Sequence, residues 1–200
     1  MSVRLTGILI LLLAITAGLV FYLRVSQPEK KEEERPEIWA VDEKKINRLE
    51  IKLVKENKQI AFFLDKDKDK WFFDDYRKTP LDKKRWGGII FLLSNPKGKR
   101  KIADRAENLD TYGLRRPQTV ISLGLDNKDK PLDILIGDPT PQKDQFYVKL
   151  GHSDPIYLVN SSFVEVIDRL VNEPPINPLT KARDEELGKK NSKLESKDEH

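Results

Sequence analysis

Alternation of apolar and polar residues begins near residue 48 and predicts β-strands. In residues 48–54, Leu49, Ile51 and Leu53 share one face, and charged residues occupy the other. Similar short segments are bounded by Gly, Pro, Asn and Asp, which favour turns. The predicted strands are residues 48–54, 59–64, 71–73, 119–125, 132–136, 145–150 and 155–159.

Two helices are predicted after groups of strands. The first has Thr79 as N-cap and ends near Ser94, although each residue of its Gly87-Gly88 pair costs about 1 kcal/mol relative to Ala. The second covers residues 163–171, where apolar side chains recur on one face. The pattern predicts an α+β fold of antiparallel strand meanders with two helices, and the repeated strands-then-helix order suggests an internal duplication.

Two pairs of adjacent aromatic residues lie in the first group of strands, Phe62-Phe63 and Phe72-Phe73. Consecutive side chains of a strand point to opposite faces of the sheet. One residue of each pair must therefore be covered by something outside the main core, such as a helix or a partner protein.

An uncharged segment near the N-terminus predicts one transmembrane helix. The 19 residues from Leu5 to Leu23 are flanked by Arg4 and Arg24 and reach about 28 Å as a helix, close to the hydrocarbon thickness of a bilayer. A cleaved signal peptide is the alternative, but its apolar core is normally shorter and is followed by small residues. We therefore expect the segment to bind the lipid bilayer as an uncleaved anchor.

Changes in composition divide the chain into four predicted parts. Residues 1–24 form the transmembrane anchor, 25–37 a charged linker, 38–171 the globular α+β domain, and 172–200 a disordered Pro-rich and charged tail. More cations follow the span than precede it, which by itself favours a cytoplasmic domain. Long domains, however, cross membranes largely regardless of this charge bias.

Composition and motifs argue against most catalytic and cofactor chemistry. Cys is 0, which removes disulfides and thiolate ligands, and Lys+Arg 37 against Asp+Glu 33 gives no basic stripe for nucleic acid. Asp65, Asp67 and Asp69 resemble half of a calcium loop, but Lys70 stands where such a loop needs Gly. We predict no catalytic residue, no metal site and no cofactor.

His152 is the only histidine before the C-terminal His200. Its neighbours in residues 151–154 predict a turn between two strands. A catalytic Ser/His/Asp set needs residues that converge from separate elements, and three consecutive residues of one turn do not provide that geometry. Residues 97–105 carry five cations, and a solvated loop is preferred there over a lipid-headgroup contact.

Residues 106–117 (AENLDTYGLRRP), 135–141 (LIGDPTP) and 146–148 (FYV) follow one another in an order that resembles the bacterial family catalogued as domain of unknown function 4340. Phe146 stands where that family often has Tyr. The resemblance implies a membrane-anchored, extracytoplasmic domain, with relatives often encoded beside ABC-type transporter components. It implies no reaction and supplies no catalytic residues.

We therefore expect a non-enzymatic accessory or interaction subunit of a bacterial membrane complex, in a cell inner (or thylakoid-type) membrane, with its domain outside the cytoplasm. The alternative is an extracytoplasmic glycan- or lipid-binding module. Loops held by a rigid sheet often carry binding residues. The candidate interaction residues are Tyr112, Arg115, Arg116, Asp138 and Thr140.

Overall fold

The computed structural model describes residues 7, 12–19, 21–22, 35–75, 77–105, 107–126 and 128–176. The chain divides into two compact units, Met1–Arg35 and Pro36–His200. In the first unit, residues 12–19 and 21–22 are helical. Among the described residues, no helix has the length and apolar character that crossing a membrane requires. The predicted span, residues 5–23, lies partly outside the described residues and stays a prediction.

The second unit is built on one antiparallel sheet of eight strands, in the order β3-β2-β1-β5-β6-β7-β8-β4. The α+β class with antiparallel strands is confirmed. The strands are β1 (Ile46–Leu53), β2 (Lys58–Asp65), β3 (Lys70–Phe73), β4 (Arg100–Ala103), β5 (Thr119–Leu125), β6 (Leu132–Pro139), β7 (Gln145–Leu150) and β8 (Ile156–Asn160).

The centre of the sheet is the pair β1 and β5, with Ile51 opposite Ile121. These are the first strands of the two predicted strands-then-helix repeats. The next two strands of each repeat, β2 and β3 on one side and β6 and β7 on the other, are added outward from this pair in sequence order. The internal duplication itself stays a prediction. Strand β4 was not predicted, because its partner β8 is more than 50 residues further along the chain.

Three α-helices are described in this unit, α1 (Lys83–Trp86), α2 (Ile89–Ser94) and α3 (Ser161–Asn172), together with two short 3-10 helices, Glu43–Lys45 and Asp110–Tyr112. The prediction of one continuous helix capped by Thr79 is wrong. Asp82 caps α1 by accepting from the backbone N–H of Lys84 and Arg85. The chain then breaks at Gly87–Gly88, where Gly88 has φ +84°, a conformation that glycine adopts without steric cost.

All buried apolar side chains of the three helices join the core on one side of the sheet, called here the first face. Strand residues such as Leu49, Ile121 and Ile134 form this face and are fully buried. Phe163, Ile167 and Leu170 of α3 pack on the same core at helical spacing. Among the described residues, the three α-helices therefore form one layer on the first face of the sheet.

The opposite side of the sheet, the second face, carries the alternate residues of each strand. Phe63 and Phe72 stack there with ring centroids 5.8 Å apart, whereas Phe62 and Phe73 are buried on the first face. The predicted division of the aromatic pairs is confirmed. The ammonium of Lys78 lies 5.7 Å from the Phe63 ring centroid, so cations share this half-exposed surface.

The globular unit continues beyond the predicted boundary at residue 171. Helix α3 ends at Asn172, and residues 173–176 then lie against α1. The Arg85 guanidinium donates to the carbonyls of Glu173 (2.7 Å) and Pro174 (3.1 Å). Leu81 forms a β-bridge with Ile176. Residues 172–176 thus belong to the domain and not to a disordered tail, whereas residues 177–200 lie outside the described residues.

Candidate interaction site

The two predicted loops meet at one place on the sheet. Residues 110–116 and 137–141, called here the loop junction, interlock through two glycines. A Cβ on Gly137 would overlap the backbone oxygen of Tyr112, and a Cβ on Gly113 would overlap the side chain of Asp138. Gly113 also has φ +65°. Only glycine fits both positions, so the backbones of the loops fix each other.

A β-bulge shapes the second loop. Ile136 pairs with Val148 and Pro139 pairs with Phe146, so β6 advances three residues while β7 advances two. The expectation that β6 ends near Ile136 is therefore wrong, since the strand continues to Pro139. The bulge turns Gly137 and Asp138 toward the first loop.

Aromatic and apolar side chains anchor the first loop to the second face. The rings of Tyr112 and Tyr147 meet edge to face with centroids 4.9 Å apart, an arrangement that aromatic pairs prefer. Leu114 is 2% exposed and would contact any side chain at Gly137. The loop junction is thus a packed element and not a loose loop.

The five candidate residues have different environments. Arg115 donates through Nε to Asp110 (2.8 Å), whereas Arg116 is exposed. Asp138 lies 3.4 Å from the Lys55 ammonium, and their side chains are 51% and 65% exposed. Such exposed pairs contribute only about 0–1 kcal/mol, so Asp138 can exchange Lys55 for another partner at little cost.

Thr140 differs from the other candidates because it is only 7% exposed. Its hydroxyl donates to Asp144 (3.1 Å), and its backbone N–H donates to Gln145. Hydrogen bonds from the Gln145 amide, and then from the Thr140 hydroxyl, lower the pKa of Asp144. Thr140 therefore shapes the loop and does not offer a contact surface.

The loop junction offers charges, an amphipathic aromatic ring and fixed geometry, which suit recognition of another macromolecule. In the part of the chain that the structure describes, no group of three His, Cys, Asp or Glu side chains is placed to hold a metal ion. His152 lies exposed in the turn between β7 and β8.

A groove at the β3 edge of the sheet was not expected from the sequence. It has a volume of about 580 Å³ and lies between the edge strand β3 and helix α1. Trp71 and Trp86 line it with ring centroids 5.2 Å apart. Lys70, Asp82 and Lys83 also line it. The signal in the sequence was the position of two Trp residues on either side of a Pro-containing turn.

A family model described as "Domain of unknown function (DUF4340)" matches residues 71–173. Neither the curated proteins nor the solved structures include a significant match. The matched region begins in β3 and ends just after α3, so it includes the loop junction and most of the sheet. The expected resemblance is confirmed over half of the chain, and this protein belongs to the DUF4340 family.

Proposed function

We propose that the protein is a non-enzymatic accessory subunit of a bacterial membrane complex and that it works by protein contact through the loop junction. The observation that carries this proposal is the interlock of Gly113 and Gly137, which fixes Arg116 and Asp138 on the rigid sheet. Preorganised loops lose little entropy on binding, which favours recognition. An ABC-type transporter is the first choice of complex, and assembly of another membrane complex is the second.

The proposal includes a single membrane anchor at residues 5–23 and an extracytoplasmic domain in an inner (or thylakoid-type) membrane. Leu13 and Phe21 are each 72% exposed in the described part of the first unit, and such side chains are stabilised by an apolar surrounding. Alkaline carbonate should leave the full-length chain in the membrane pellet. A shortened soluble chain would contradict an uncleaved anchor.

Charge reversal at the loop junction tests the contact. Arg116→Glu should leave unfolding within about 0.5 kcal/mol of wild type, because the side chain is exposed. Association with the partner should weaken about tenfold, since like charges then oppose each other across the interface. Lys128→Glu is the matched control, because Lys128 is also exposed but lies beyond β5 and outside the loop junction.

The measurement is quantitative mass spectrometry of proteins that co-purify with the tagged full-length chain from its native membrane. The proposal predicts that at least one membrane protein is recovered with wild type and Lys128→Glu but is depleted with Arg116→Glu. Equal recovery with all three chains would contradict a contact at the loop junction.

The groove favours a second candidate function, an extracytoplasmic module that binds a glycan or lipid. Its volume of about 580 Å³ falls within the range of small-ligand pockets, about 300–1,000 Å³. A sugar ring or acyl chain could pack on Trp71, the more exposed of the two tryptophans. Titration with glycan fragments and with lipid should then shift tryptophan fluorescence, and Trp71→Ala should remove the shift. No shift with either ligand class would exclude this candidate.

A further inference from the structure

Phe91 on helix α2 is the most exposed large apolar side chain in the described part of the globular domain, with 73% of the residue exposed. Ile89 and Leu93, two residues before and after it, are buried in the first-face core. Burial of an aromatic ring is favourable, yet the described residues leave this one uncovered. The exposed ring therefore offers a contact to an apolar surrounding.

A run of cations follows helix α2. Residues 97–105, called here the basic edge, carry five cations and one acid. The sequence favoured a solvated loop here, but the segment contains β4, an edge strand that pairs only with β8. Lys97 and Lys101 form ion pairs with acidic neighbours. Arg100 and Arg105 are exposed and form no hydrogen bond or ion pair with another described residue, so two guanidinium groups can bind a ligand.

The chain enters the globular domain between Phe91 and strand β4. Residues 36–41 lie antiparallel against residues 94–98, where the backbone N–H of Gly98 donates to the Pro36 carbonyl (2.8 Å). The 12 residues before Pro36 separate it from the end of the proposed anchor, and a chain of this length extends at most about 43 Å. The basic edge is thus held beside the point at which the chain arrives from the proposed anchor, within reach of lipid head groups.

We propose that the basic edge and Phe91 bind the surface of the membrane that carries the proposed anchor. Arg100 and Arg105 contact the phosphates of anionic phospholipids, which match the planar fork of a guanidinium group. The Phe91 ring enters the head-group boundary beside them. This inference rests on the anchor in the proposed function and adds a second membrane contact. Cations on an edge strand also discourage pairing with another chain, but that role does not explain an exposed Phe.

Spin labelling of the full-length chain tests the lipid contact. Because the chain contains no Cys, Asn95→Cys supplies one thiol for a nitroxide, in the exposed link between α2 and β4, without changing Phe91 or a cation. Asp67→Cys is the matched control, because it is exposed beside β3 at the opposite edge of the sheet, seven strand spacings of about 4.8 Å away. Each labelled chain is inserted into nanodiscs of phosphatidylcholine and phosphatidylglycerol, where Ni²⁺ chelated to some head groups relaxes a nitroxide at the bilayer surface.

The nitroxide at position 95 should relax more strongly than the one at position 67. The double change Arg100→Gln and Arg105→Gln should lower the population in contact with the bilayer about fivefold per cation removed. The matched double change Lys128→Gln and Lys130→Gln should not lower it, because these exposed cations lie between β5 and β6. Phosphatidylcholine alone, or high salt, should weaken the contact without a change at either Arg, since both reduce the attraction of charges. Phe91→Ser should weaken it as well.

Equal relaxation at positions 95 and 67 overturns the lipid contact, as does strong relaxation at position 95 that persists without phosphatidylglycerol and without the two Arg side chains. Weak relaxation in lipid alone, with capture of a protein by a photoreactive amino acid at position 91 in the native membrane, also overturns it and assigns this surface to a protein partner. Carbonate washing separates the inference from the anchor. Where the chain is retained in the pellet, these results contradict the lipid contact alone, whereas release of the chain contradicts the proposed anchor on which the inference rests.

Discussion

The interlocked glycines make the sharpest stability prediction. In Gly137→Ala, the new Cβ would overlap the Tyr112 backbone oxygen and approach Leu114 Cγ to 3.1 Å and the Gly113 carbonyl carbon to 3.2 Å. Two of these atoms belong to backbone, which cannot turn aside as a flexible side chain can. Overpacking of this kind costs about 1–3 kcal/mol, and we expect a value near the upper end, about 3 kcal/mol.

Substitutions at two other glycines distinguish the stability cost of steric contact from the cost of backbone conformation. Gly88→Ala requires φ +84° with open space around the new Cβ, so it should cost only the left-handed conformation, about 1–2 kcal/mol. Gly113→Ala combines φ +65° with contacts to Asp138, and the two terms together give about 3–4 kcal/mol. The predicted order of destabilisation is therefore Gly88→Ala, then Gly137→Ala, with Gly113→Ala equal to or above it.

Urea unfolding of the purified full-length chain, followed by tryptophan fluorescence, measures these differences. Trp39, Trp71 and Trp86 all lie in the globular domain, so the signal reports its unfolding. A domain with about 5–15 kcal/mol of stability remains folded after such a loss. Destabilisation by Gly137→Ala of less than about 0.5 kcal/mol, the range of ordinary surface changes, would refute the interlock.

Further predictions concern the C-terminal end of the domain. Burial first, and then the negative charges of Glu56 and Glu165, raise the pKa of Asp168 above its ordinary value of 3.8. The Asp168 carboxyl group therefore holds its proton more tightly in the folded state than in the unfolded state. As a result, the folded state loses stability as the pH rises above 3.8. Asp168→Asn should therefore stabilise the chain at pH 7 by about 0.2–0.5 kcal/mol per like-charged pair removed. In urea unfolding, this gain in stability should become smaller toward pH 4. A gain that is the same at both pH values would contradict this cause. A chain that ends at Ile176 should have the melting temperature of the full-length chain. A chain that ends at Asn172 should lose about 2–4 kcal/mol of unfolding free energy, because several hydrogen bonds to residues 173–176 disappear. Equal stability of the two truncated chains would show that residues 173–176 do not stabilise the domain.

Local patterns in the sequence were enough to predict most strands. Strands β5 and β7 have the predicted bounds, and helix α3 extends only two residues before and one after its predicted range. Alternation and helical spacing are local properties, so they survive in any fold. The outward-facing aromatic residues Phe63 and Phe72 could also be predicted, because side-chain alternation in a strand is fixed by geometry.

Features that depend on distant parts of the chain were missed. Strand β4 forms because β8 offers an edge, and no pattern within residues 100–103 shows that partner. Asp82 caps α1 in place of Thr79, whose hydroxyl instead donates to Asp75 (2.7 Å). Both residues are good caps, so tertiary contacts determine which of them caps the helix.

Part of the candidate site was visible in the sequence and part was not. The turn residues around Gly113 and Gly137 marked two loops, but their interlock is a tertiary contact between positions 24 residues apart.

Site-specific photocrosslinking at position 116 tests the central claim, contact through the loop junction, most directly. A photoreactive amino acid in place of Arg116, in the full-length chain in its native membrane, should capture one discrete membrane protein. The same amino acid in place of Lys128 should not capture it. Capture of the same protein at both positions, or at neither, would contradict recognition through the loop junction.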